Sequence, residues 1–140
     1  MTKPLPADFL EQFDEQFNCW NRGDLDLMLD DYAEDAVFDV SAVFTDVEPM
    51  HGRKEIRRYW DTLRETWDNL RIDALEGFAL DDGRFVLDQR MWAKGTRSGV
   101  GIDQRFAMLY TIRPDDRKIL HAQLFADVQT AISAAESSAS

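Results

Sequence analysis

The sequence predicts an α+β fold in which three amphipathic helices pack against one face of an antiparallel sheet. Apolar residues recur at helical spacing in three stretches up to Trp67, and from Leu70 onward the period falls to two, with turn signals between the alternating runs. A length of 140 residues favours one domain. No internal repeat or low-complexity linker divides the chain, so residues 1–130 read as a single domain and 131–140 as a C-terminal tail.

Each element has its own signal. Phe9, Leu10, Phe13, Phe17 and Trp20 trace one stripe, and Asn21-Arg22-Gly23 closes it with a glycine suited to a left-handed cap, giving a helix over about Ala7 to Arg22. Asp24 can cap a second helix whose Leu25, Met28, Leu29 and Tyr32 fall at i, i+3, i+4 and i+7. Ala36 to Ser41 switches to β-branched and aromatic alternation and reads as a short strand, followed by a polar stretch from Ala42 to Gly52. Ile56, Tyr59, Trp60, Leu63 and Trp67 then mark a third helix from about Arg53 to Trp67. Beyond it, Leu70, Ile72 and Ala74 alternate, Asp82-Gly83 signals a hairpin, and Arg84 to Ala93 is the return strand. Lys94 to Gly101 carries three glycines and suits a turn with a bulge. Val100 to Arg113 and Lys118 to Val128 form a second hairpin around Pro114-Asp115-Asp116, and the Ala/Ser-rich last dozen residues read as a frayed helical end or a disordered tail.

Composition removes several functional classes. With 27 acidic against 16 basic side chains the net charge is −11, which repels a phosphate backbone, so no nucleic-acid partner is expected. Cys19 stands alone and can form neither an internal disulfide nor a thiolate cluster; beside Trp20 it reads as a small buried hydrophobe. The longest apolar run, Phe106 to Tyr110, is far short of the roughly 20 residues of a membrane span, and Met1 to Leu10 is no secretory signal. A cytoplasmic protein without a membrane partner is the expectation. The acidic residues Asp24, Asp26, Asp30, Asp31, Glu34 and Asp35 mostly follow a solvent-facing helix side, so no metal is called for, and no phosphate-binding loop or nucleophile elbow suggests a cofactor.

The last two strands are apolar on both faces. Ile102, Phe106, Met108, Tyr110 and Ile112 share one face, yet Ala107 and Leu109 lie on the other; in the final strand Leu120, Ala122 and Leu124 oppose Ile119, His121, Gln123 and Phe125. A sheet with helices on one side normally shows water a polar second face. Ala107, Leu109, Leu120 and Leu124 on that face therefore suggest a homodimer through the outer sheet face, or scattered surface apolar residues.

Four segments together resemble the SnoaL-like proteins of the nuclear transport factor two-like superfamily, with its cystatin-like α+β barrel: WNRGDLDLMLDDYAEDAVFDV from Trp20, HGRKEIRRYW from His51, SGVGIDQRFAMLYTIR from Ser98 and KILHAQLFADVQTAISA from Lys118. The resemblance implies three N-terminal helices in the concave face of a curved antiparallel sheet, a cone with a cavity. Steroid isomerases, polyketide cyclases, dehydratases, epoxide hydrolases and non-catalytic binding modules share that shape, so fold alone does not choose the chemistry. It implies binding of a small hydrophobic molecule, by a cofactor-free isomerase, dehydratase or cyclase or by a non-catalytic ligand-binding or dimerisation module.

If the strands sit as in the steroid isomerases, the resemblance places Gln16, Trp20, Tyr32, Phe38, Val40, Trp60, Leu87, Gln89, Met91, Phe106, Met108, His121, Gln123 and Phe125 toward the cavity. Phe38, Leu87 and Met108 read equally well as plain core. The isomerase groups themselves are missing: Val40 stands at the base position, Gln16 at the tyrosine and Met108 at the second acid, while Asp39 is one step off and on the opposite face. His121 is then the candidate catalytic residue, a neutral imidazole able to take or give a proton, with Gln89 and Gln123 to orient a carbonyl or hydroxyl beside it. A lone strand histidine is also often a hydrogen-bonded core residue, and His51, in the loop before the third helix, suits a capping or surface role. Asp88, Arg90 and Arg105 fall on the outer face, where cross-strand ion pairs account for them; a reversed register would send Asp88, Arg90 and Trp92 inward.

Overall fold

The computed structural model describes residues 3–95 and 101–138. In chain order the elements are β1 (Lys3–Pro4), α1 (Ala7–Arg22), α2 (Leu25–Leu29), β2 (Tyr32–Asp39), β3 (Met50–His51), α3 (Arg53–Thr66), β4 (Trp67–Ala79), β5 (Phe85–Gly95), β6 (Gly101–Ile112), β7 (Ile119–Phe125) and α4 (Val128–Ser138). The strands make one open seven-stranded sheet in the order β1-β4-β5-β6-β7-β2-β3. Register shifts in the β4–β5 and β6–β7 pairs bend it.

The helices start and stop where their chemistry dictates. Gly23, at φ 83°, ends α1: its N–H donates to Trp20 O at 2.9 Å and the Asp24 N–H to Cys19 O at 2.8 Å. The Asp24 carboxylate accepts from Leu27 N at 3.3 Å and so opens α2. That helix lasts only five residues, and Tyr32, the expected fourth member of its stripe, is the first residue of β2 instead. The cause is β7: Ile119 N donates to Asp31 O at 2.8 Å, and β2 then runs parallel to β7, with Val37, Phe38 and Asp39 opposite His121, Ala122 and Gln123. The sheet is therefore mixed rather than purely antiparallel, and β2 begins four residues before the expected Ala36.

The two faces carry separate cores. On the concave side α1 packs against β4 and α3 against β2 and β4. They enclose Phe13, Phe17, Trp20, Ile56, Trp60 and the inward residues of the strands. On the convex side a fourth helix, α4, seats Ala131 and Ala135 against Val86, Ala107, Leu109 and Phe125. The segment expected to fray is thus a docked helix through Ser138. It also accounts for the apolar outer face, because Ala107 and Leu109 lie under α4, whereas Leu124, across from Met108, belongs to the concave side. The hairpin at Asp82-Gly83 is present, with Gly83 at φ 89°. Of the expected glycine-rich turn from Lys94 to Gly101, residues 96–100 lie outside the described residues.

Candidate functional site

Between the concave face and helices α1 and α3 lies a cavity of about 300 Å³. That is at the small end of the range for ligand pockets. Strand register builds its floor: Gln89 opposes Phe106, Met91 opposes Gln104 and Met108 opposes Leu124, so period-two alternation sends all six to the same side. Ile102 and Tyr110 continue the β6 row, and Leu70 and Ile72 add the β4 flank. The helical wall comes from Phe17 and Trp20 of α1 and Tyr59, Trp60 and Leu63 of α3, with Trp67 at the start of β4.

Aromatic packing fixes this wall. The Trp60 ring meets Trp20, Tyr32 and Phe38 edge-on, at centroid distances of 6.0, 5.3 and 5.9 Å, the arrangement that opposed ring quadrupoles favour. Trp20 is further pinned by its indole N–H, which donates to Leu70 O at 2.9 Å. Val40 follows β2, and the segment between β2 and β3 contributes Phe44 and Val47. Phe44 is 42% exposed while facing Phe106 at 6.5 Å, which places it at the rim.

Polar groups in the cavity are few and uncharged. The lining contains no Asp, Glu, His, Lys, Arg or Cys among the described residues. Tyr32 and Tyr110 are fully buried, and burial raises both phenols above their ordinary range; the two hydroxyls pair with each other. Tyr59 is raised by burial as well. Gln89 is 3% exposed, and its Oε1 accepts no hydrogen bond among the described residues. Gln104 lies diagonal to it across the β5–β6 pair and is exposed.

Nine of the residues expected in the cavity line it: Trp20, Tyr32, Phe38, Val40, Trp60, Gln89, Met91, Phe106 and Met108. Leu87 is fully buried but outside the lining. Gln16 is buried in α1, its Nε2 donating to Asp31 Oδ2 at 3.4 Å; desolvation raises the Asp31 carboxyl.

His121, Gln123 and Phe125 are the correction. They pair with Thr111, Leu109 and Ala107, the β6 residues that alternate away from Tyr110 and Met108, so they occupy the convex side. Phe125 packs in the core under α4, and half-buried His121 stands in register with Val37, which also pairs His51. Desolvation lowers the His121 imidazole, followed by a raising effect of Asp39 and a lowering effect of His51.

Asp39 lies across from Gln123 on the same outer side as His121, its Oδ1 accepting from Ser41 N at 2.9 Å and Ser41 Oγ at 2.6 Å. Arg90 forms a bidentate pair with Asp103 at 2.8 and 2.7 Å, and Arg105 bridges to the buried Asp88 carboxylate, so these charges are cross-strand pairs away from the cavity. Cys19 is buried beside Glu15 and Arg22, and burial raises its thiol.

Sequence reasoning missed several lining residues. Tyr110 and Ile102 share the period of Phe106, and Tyr59, Leu63 and Trp67 share the stripe of Trp60, so that signal was present. Phe44 and Val47 come from an irregular segment, where no period exists to read.

The same architecture recurs in solved structures of low sequence identity. A protein with a ketosteroid isomerase-like fold from Catenulispora acidiphila, solved in complex with trimethylamine, superposes with a TM-score of 0.68 at 13% identity, over 84% of this chain and 85% of the other. The epoxide hydrolase/cyclase-like enzyme SalBIII, of pyran ring formation in the polyether salinomycin, gives 0.70 at 19% identity, over 85% and 90%. TerC, co-crystallised with polyporic acid, gives 0.68 at 15%, also over 85% and 90%. No curated protein matches the sequence. The family model described as the SnoaL-like domain matches residues 13–122, a span from the core of α1 into β7 that includes β4, β5 and β6 of the cavity floor, and the chain therefore belongs to the SnoaL-like domain family.

Proposed function

We propose that the chain binds a small, uncharged, largely apolar molecule in the cavity between α1, α3 and the concave sheet face. The observation that supports this best is the lining itself, aromatic and aliphatic with glutamine and phenol as its polar groups. Burying an ion there would leave it without an opposite charge among the described residues, at a cost of several kcal/mol that ring faces offset only in part for a cation, whereas apolar surface gains about 25 cal/mol per Å² removed from water. The ligand complexes and cyclase-like enzyme among the structural neighbours support small-molecule binding by this fold, while the uncharged and apolar character of the ligand rests on the lining alone. Native mass spectrometry of freshly purified protein, alongside titration with 1-anilinonaphthalene-8-sulfonate and neutral aromatic hydrocarbons, tests it. Quenching or shift of tryptophan fluorescence by the neutral probes is expected, since Trp20, Trp60 and Trp67 line the space; failure of every neutral probe to bind would refute the reading.

The tyrosine pair favours a second reading, a cofactor-free isomerase, dehydratase or cyclase. In a pair of hydroxyls one proton lies between the two oxygens and the other is left to offer a ligand oxygen; Tyr110 lines the cavity, and a donor polarised in this way suits charge developing on a carbonyl. In this reading Tyr110→Phe abolishes turnover of any converted compound while leaving its affinity within about threefold; His121, on the far side of the sheet, has no part in the step. Homodimerisation through the outer face would have to use the surface that α4 leaves open, beside the Arg90–Asp103 and Arg105–Asp88 pairs, and sedimentation velocity measures it directly.

A further inference from the structure

We infer that Gln89 is the specificity-determining residue of the cavity, and that the ligand presents a hydroxyl, phenolic or alcoholic, to the amide of that side chain. The inference rests on the proposed binding role and names the ligand class within it. Gln89 lies in mid-sheet with Leu87 and Met91 on either side along β5 and Ala74 and Phe106 opposite it on the flanking strands. All four neighbours are apolar.

A buried amide oxygen in such a setting lacks the partner that water gives it in the unfolded chain, and a group left so costs about 1–3 kcal/mol. Leucine or methionine would fill the same space without that cost. The glutamine thus lines an apolar hollow with an amide oxygen that has no partner among the described residues, and a bound O–H, met by a turn of the amide toward it, satisfies that oxygen. Among neutral ligands a hydroxyl matches it better than a ketone or ether oxygen, which has no proton to give Oε1. A site built to meet a ligand hydroxyl discriminates against the analogue lacking one because its own polar group is then stranded.

The probes are 2-naphthol and 2-methylnaphthalene, equal in shape and differing by OH for CH₃, with dissociation constants measured by nuclear magnetic resonance titration of wild type, Gln89→Leu and the closer isostere Gln89→Met. Transfer from water favours the methyl compound, so the informative quantity is the ratio of the two constants in each protein. The relative preference for 2-naphthol is expected to fall about tenfold in both variants, the factor that corresponds to ~1.4 kcal/mol. Both variants are also expected to melt no lower than wild type, since each removes a stranded acceptor. A ratio unchanged from wild type in a folded variant overturns the assignment of Gln89 while leaving the binding role intact. Failure of wild type to bind either naphthalene overturns both.

Discussion

Gln89 and His121 show how much of a site one alternating residue decides. Both are polar side chains on strands, both were expected in the cavity, and only Gln89 lines it. Which face of β6 is concave was readable from Phe106, Met108 and Tyr110, but β7 is apolar on both sides, with Ala122 and Leu124 inward and Phe125 under α4, so hydrophobicity gives its parity no sign. Only its pairing with β6 fixes which way the imidazole points. Two predictions belong to single residues. Because the lining holds no His, Cys or carboxylate among the described residues and the phenols are held protonated, affinity for a neutral ligand should stay constant from pH 6 to 9, as calorimetry at several pH values would show. At Gly23 an added Cβ would sit in the left-handed region and 3.2 Å from the Arg64 guanidinium. Gly23→Ala should accordingly cost about 1–2 kcal/mol in denaturant unfolding.

At the scale of elements, α1, α3 and the β4–β7 meander follow from periodicity and caps; the bounds of α1 coincide with expectation, α3 ends one residue early and the strands shift by a few residues. The end of α2 and the docking of α4 do not, for a shared reason: long-range contacts overrule the local pattern. Tyr32 continues the helical spacing of Leu25 and Met28, yet the backbone bond from Ile119 to Asp31 draws the chain into β2. The Ala/Ser composition of the C-terminal segment says nothing about docking, yet Ala131 and Ala135 are small enough to sit flush on Val86, Ala107 and Leu109. Ala131→Asp should place an unpaired carboxylate in that seam and lower stability by about 2–4 kcal/mol, read from urea unfolding. A matching Ser133→Asp on the exposed side of the same helix should change it by less than ~0.5 kcal/mol.

For the molecule as a whole, the acid limb of stability reports on the convex face. His121 is held below its ordinary range when folded, chiefly by desolvation, so the unfolded chain binds the extra proton more readily and stability falls as the pH drops below about 6.5. His121→Gln should flatten that part of the thermal-melting profile while leaving cavity binding unchanged, a combination that separates a role in the fold from one in the site. The family and α+β class were legible because four separated segments carry them at once. The kind of ligand was not, because it depends on which polar group the closed structure leaves unmatched.

The parallel pairing of β2 with β7 joins residue 32 to residue 119, and nothing between them offers β2 the same edge. A nascent chain therefore carries β2 and the aromatic wall for most of its synthesis before the strand that completes the enclosure emerges. Contacts of such sequence separation make folding slow and expose unpaired edges meanwhile. The hollow comes into being late and all at once, and a chain ended before Ile119 should be found with chaperones or in inclusion bodies rather than as a smaller folded protein.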